Sequence, residues 1–180
     1  MNAVYQMPQP EITGWMLPEE LQWLYEQALV HRDIVEVGSW FGRSTHALCC
    51  GCRGTVWAVD HFLGSPSELC GAHTFAAIGG DVYAEFQKNC GHFQSLKPLL
   101  AESITAARTF MHNSCDMIFL DAEHTHESVL ADLAAWLPKL RVGGLFCGHD
   151  FGRSGIPSAL KEYFGNVSIQ NPVGSIWVKP

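Results

Sequence analysis

The chain has 180 residues, the length of one domain, and a chain of that size can bury about 70% of its unfolded surface without staples. Hydrophobic residues make up 47% and charged ones 16%, which excludes a disordered or collagen-like chain. A formal charge of −7 without any Lys/Arg run argues against nucleic-acid and anionic-membrane partners.

No stretch approaches the roughly 20 apolar residues of a membrane helix, and residues 1–18 lack the basic-then-apolar order of a signal peptide. The seven cysteines, an odd number, read as reduced thiols in a cytoplasmic protein rather than as a disulfide framework.

Pro18 opens a predicted helix through residue 30, with Leu21, Leu24, Tyr25 and Leu29 on one face. Residues 34–37 form a short apolar strand, followed by a helix over 44–50 and a second strand over 55–59. Residues 60–80 are rich in Gly, Ser and Ala and have no period, which in a compact domain suits a functional lid. A helix over 81–89, a strand over 96–100 and a helix over 104–110 follow. Next come a strand over 115–120, a helix over 124–137, a strand over 142–147 and a helix over 157–164. Strand-like runs at 167–170 and 176–179 close the chain as a hairpin. Strands alternating with helices of this length predict a largely parallel sheet covered on both faces.

In open α/β sheets, ligands sit beyond the carboxyl ends of the strands. After the first strand, Gly38 and Gly42 permit tight turning and close ligand approach, and Ser44 can cap the next helix. Glycines alone would be ordinary turn chemistry. Here Glu36 precedes them, and Asp60, 24 residues further on, ends the second strand where an acid can accept from ribose hydroxyls. Trp40 stands where a dinucleotide fold has its second glycine, which weakens a dinucleotide oxidoreductase reading and suits a nucleoside without phosphates. After the fourth and fifth strands, Asp121, His149 and Asp150 offer two hard oxygens and an imidazole, an open set suited to Mg2+ or Mn2+. The plainer alternative is that Asp121 and His124 only cap the helix that starts there.

The runs Val35-Glu36-Val37-Gly38-Ser39-Trp40-Phe41-Gly42-Arg43-Ser44-Thr45, Val59-Asp60, Phe119-Leu120-Asp121-Ala122-Glu123-His124 and Gly148-His149-Asp150 resemble class I S-adenosylmethionine-dependent methyltransferases. The resemblance spans roughly residues 34–164 and is nearest the macrocin O-methyltransferase-like branch. It implies a Rossmann-like α/β fold with a seven-stranded, mostly parallel sheet and an antiparallel C-terminal hairpin. Residues 1–180 would form a single methyltransferase domain, with 1–17 an N-terminal extension and 60–80 the lid. The implied activity is methyl transfer from S-adenosylmethionine to a small-molecule hydroxyl with divalent-metal assistance; a binding module that has lost its chemistry is the alternative.

By the same resemblance, Glu36 lies near the methionine ammonium, and the loop of Gly38, Ser39, Trp40, Gly42 and Ser44 near its carboxylate. Asp60 holds the ribose, Glu102 and Ser103 border the adenine, and Asp121 adjoins the cofactor. Asp121, His149 and Asp150 become metal ligands and His124 the general base, on the first helical turn and neutral above about 6.5. His46 with Cys49, Cys50 and Cys52 reads as structure rather than as a zinc site. Trp15, Trp23 and Trp40 suit either a pocket mouth or a homodimer contact.

Overall fold

The computed structural model describes residues 4–64, 80–153 and 155–180. Helix α1 (Pro18–Ala28) leads into β1 (Asp33–Val37), α2 (Arg43–Gly51) and β2 (Thr55–Asp60). Then follow α3 (Val82–Cys90), β3 (Leu96–Leu100), α4 (Ser103–Ala107) and β4 (Cys115–Leu120). The last part holds α5 (His126–Trp136), β5 (Leu140–Gly148), α6 (Gly155–Phe164) and β6 (Trp177–Lys179). The expected lid falls mainly on residues 65–79, outside the described residues.

The strands form one sheet in the order β3-β2-β1-β4-β5-β6, parallel except for β6, which runs antiparallel to β5. Side chains on a strand alternate between faces, and this period divides the core in two. Ile34, Ala58, Met117, Phe119 and Cys147 face α1, α2 and α3. Val35, Val37, Val59, Ile118 and Leu120 face α4, α5 and α6, where Trp136 is buried. Both sheet faces are therefore covered, which is why β1 and β4 read as nearly unbroken apolar runs.

The described residues contain six strands, not seven. The run at 167–170 is reduced to a single antiparallel bridge between Gln170 and Val178. Val167 is exposed and only Ile169 packs against the core, too little apolar surface to hold a further strand. Strand β5 begins earlier than predicted because it bulges. Its pairing with β4 shifts between Cys115 and Met117, and Val142 is wholly exposed there.

The other correction bears on the site. Helix α5 starts at His126, not at residue 124, because Thr125 is its N-cap and accepts from the Ser128 backbone N–H. Asp121 and His124 thus lie in the β4–α5 loop rather than on a helical turn, and capping is not their task. No helix among the described residues is long and apolar enough to cross a membrane.

Candidate active site

The chain runs β1 to β3 towards one edge of the sheet and then places β4 on the other side of β1, so the order reverses between β1 and β4. Loops leaving a sheet in opposite directions open a crevice at such a point. Here it is a cavity of about 490 Å3. Gly38 adopts φ +91°, and a Cβ there would stand 2.0 Å from the Asp121 carbonyl oxygen, so only glycine lets the two loops pass.

Asp60 organises the first loop. Its Oδ2 accepts the backbone N–H groups of Ser39 and Trp40, both at 2.8 Å, and its Oδ1 accepts that of Phe62 at 2.6 Å. Trp40 and Phe62 take positive φ, 45° and 59°, conformations costly for such side chains and held in place by these bonds.

Of the residues assigned to the cofactor by resemblance, Gly38, Ser39, Trp40, Ser44, Asp60, Glu102, Ser103 and Asp121 line the cavity. Glu36 and Gly42 do not. Glu36 is 0% exposed behind the loop, where its Oε2 accepts the hydroxyls of Ser39 (2.7 Å) and Thr45. Burial pushes its carboxyl up to about 7, against the opposing pull of the Ser44, Thr45 and Ser39 hydroxyls. Gly42 packs behind the loop against Cys90 and Phe86.

On the β3 side, the Ser103 hydroxyl is already engaged. It donates to Asp132 and accepts the Trp136 indole N–H at 2.9 Å. Asp132, which also lines the cavity, is raised to about 6 by burial, and the Ser103 hydrogen bond offsets only part of that.

Beyond β4 and β5, acids and imidazoles converge. Ligand atoms of Asp121, His124 and Asp150 lie within 4.8 Å of one another. His124 Nε2 is 2.9 Å from Asp150 Oδ2 and 3.9 Å from Asp121 Oδ1. His149 Nδ1 stands 3.6 Å from an oxygen of each aspartate. Asp121 and Asp150 are both held below the usual carboxylate range: burial opposes this, and their bonds to His124 and His149 outweigh it. Burial would lower both histidines, yet bonds to the two aspartates carry His124 up to about 10 and His149 to about 11. The two aspartates thus favour the imidazolium form of His124. The imidazole that converges most closely with the two carboxylates is His124 rather than the expected ligand His149, whose Nδ1 stands beside them; two carboxylates and an imidazole are a hard-donor set that fits Mg2+ or Mn2+.

The sequence left Trp15 between a pocket mouth and a homodimer contact, and the structure places it in one wall of the cavity. Gly14, Trp15 and Met16 line it because Arg43 ties down the chain preceding α1, donating to the carbonyls of Ile12 (2.6 Å) and Met16 (3.0 Å). The Trp15 and Trp40 rings stand 4.5 Å apart at the cavity wall, whereas Trp23 packs against the core. A lone Trp in a Pro-rich N-terminal run carries no period to reveal this; Arg43, beside the glycine loop, was the available signal. His46 is structural as expected, its Nδ1 bonded to the Tyr5 hydroxyl at 2.8 Å and its pKa lowered to about 4 by burial and then by His92.

A family model described as a methyltransferase domain matches residues 35–151. The fold is shared with an O-methyltransferase from Bacillus cereus solved in complex with SAH (18% identity, 97% of this chain and 84% of that one, TM-score 0.61). It is shared as well with the SAH-bound methyltransferase PaMTH1 of Podospora anserina (16%, 91% and 78%, 0.64). The O-methyltransferase NovP is similar at 16% identity over 89% of this chain and 77% of that one, with a TM-score of 0.64. No curated protein sequence matches the chain.

Proposed function

The chain belongs to the methyltransferase-domain family, and from that premise we propose that it transfers a methyl group from S-adenosylmethionine to a hydroxyl oxygen of a small molecule. The observation that carries this reading is the cavity at the strand reversal, with the Asp60-organised loop on one side and the acid–imidazole cluster on the other.

Bound S-adenosylmethionine supplies an electrophilic methyl group on a sulfonium. The protein's part is to hold donor and acceptor in line and to manage the acceptor's proton. Asp60 Oδ2 already accepts two amides, but Oδ1 accepts only one and keeps a lone pair for a ribose hydroxyl. Ser44 and the N-terminus of α2 offer a place for the cofactor's carboxylate, since the positive end of a helix favours an anion. Glu102 borders the space left for the adenine. Glu36, buried behind the loop, acts as its anchor through Ser39 rather than by touching the cofactor.

Asp121, His149 and Asp150 would hold a divalent cation, Mg2+ or Mn2+, which when bound lowers the acceptor hydroxyl's pKa. Positive charge beside the two aspartates also disfavours the imidazolium form of His124. His124 can then take the acceptor's proton at Nε2, the atom that faces Asp150. The similar proteins named as O-methyltransferases support oxygen as the acceptor atom.

Asp60→Ala tests the cofactor half of this reading. Calorimetry with S-adenosylhomocysteine is expected to show binding weakened by about 1–3 kcal/mol, from the lost ribose bonds and the loosened loop. Equal affinity in the two proteins would remove Asp60 from the site.

A further inference from the structure

Glu20, on the first turn of α1, lies more than 100 residues from the acid–imidazole cluster in sequence and is 1% exposed. A carboxylate so deeply buried has to be fully satisfied, and this one is. Oε1 accepts the Ser175 backbone N–H at 2.7 Å and the Ser175 hydroxyl at 3.1 Å. Oε2 accepts the Leu17 N–H at 2.8 Å and stands 3.1 Å from His149 Nε2. Gly174 makes room for this contact: a Cβ there would stand 2.1 Å from Glu20 Oε1.

These bonds determine where the His149 proton sits. Ser175 Oγ is also 2.8 Å from His149 Nε2. A hydroxyl has one proton to give, and that of Ser175 goes to Glu20 Oε1. Only lone pairs, from Ser175 Oγ and Glu20 Oε2, therefore face Nε2, so Nε2 must carry a hydrogen. The other ring nitrogen, Nδ1, points at Asp121 and Asp150, 3.6 Å from an oxygen of each. An imidazole that donates one N–H to a carboxylate is oriented to offer its other nitrogen to a cation.

We propose that Glu20 is a positioning residue for the cation site: with Ser175 it keeps the proton on His149 Nε2, so that Nδ1, between Asp121 and Asp150, is the nitrogen that gives up its proton to a cation. This rests on the divalent-cation reading above and extends it to α1 and to the turn before β6. Those are two elements outside the strand-end loops that supply the ligands themselves.

The test is Mn2+ binding to the whole protein, by calorimetry or by the loss of the free-ion electron paramagnetic resonance signal. The proteins compared are the wild type and Glu20→Gln, with S-adenosylhomocysteine affinity measured alongside. Glutamine keeps the length and one oxygen, but its amide N–H2 meets either His149 or the Leu17 and Ser175 donors. Mn2+ affinity is expected to fall about 10- to 100-fold while S-adenosylhomocysteine affinity stays unchanged. A purely structural clamp would instead lower both affinities together with the melting temperature.

Equal Mn2+ affinity in the two proteins would overturn the role of Glu20 and leave the cation reading standing. No Mn2+ binding by the wild type would overturn both. Nitrogen-15 NMR of the Mg2+-loaded wild type needs no variant to fold. A His149 proton on Nε2 with Nδ1 bare is the expected spectrum, and a proton on Nδ1 would overturn the proposal.

Discussion

Glu36 shows what a single buried carboxyl costs and what it provides. Its two hydroxyl partners tie β1 to the loop and to α2, yet burial still raises it to about 7 from 4.5. The folded protein therefore holds a proton that the unfolded chain has released between those values. Protons bound more tightly by the native state make stability fall as pH rises through that window. Asp132, raised to about 6 by burial, acts in the same direction, and His46, lowered to about 4 by burial, acts against both below about 6.5. Urea unfolding from about pH 4.5 to about pH 7 is thus expected to show declining stability, with Glu36 and Asp132 together outweighing His46. Glu36→Gln keeps an acceptor for Ser39 and Thr45 and removes the titration, so its slope should flatten to what Asp132 and His46 leave between them. A variant slope equal to the wild-type slope would show that Glu36 titrates normally.

At the scale of elements, the site depends on two loops passing at close range where the strand order reverses. Gly38 → Asp121 is that contact, extended by the Gly38 N–H bonded to Val59 and the Asp121 N–H bonded to Val37. Gly38→Ala combines a positive φ with a Cβ set against a backbone oxygen, and neither strain can be relieved by a side-chain rotation. It is expected to lower stability by about 1–3 kcal/mol and to abolish measurable S-adenosylhomocysteine binding, read by thermal melting and calorimetry. Wild-type affinity in Gly38→Ala would mean the loops separate without consequence.

Much of this level was legible in the sequence, because strands buried on both faces and helices with one apolar face leave plain periods. Helix α5 was misplaced by two residues because His124 and Thr125 both suit a helix start, and only the hydrogen bond from Ser128 N–H to the Thr125 hydroxyl decides between them. The 167–170 strand was overcalled because pattern alone does not reveal that Val167 has nothing to pack against.

In the whole molecule, the pieces of the site come from positions far apart in sequence, and this explains what the sequence withheld. Asp60, Asp121 and Asp150 were readable as acids at strand ends, since topology alone brings those ends together. Trp15 was readable only as a choice between pocket mouth and dimer contact, and Glu20 not at all, because they reach the cavity wall and His149 only through the packing of the N-terminal segment and α1. The protonation of His124 was also hidden: a motif shows the histidine but not the two carboxylates that raise it to about 10.

In the proposed reaction this cavity moves a methyl group to oxygen, with His124 as the base and a divalent cation beside it. The most direct test is transfer of an isotope-labelled methyl group from S-adenosylmethionine to a panel of hydroxylated small molecules. It compares the wild type and His124→Ala, with Mn2+ or with EDTA. Labelled methyl ether is expected from the wild type with Mn2+, little in EDTA, and about 10²- to 10⁴-fold slower turnover in His124→Ala with cofactor affinity retained. Turnover that is undiminished in EDTA and in His124→Ala would contradict it.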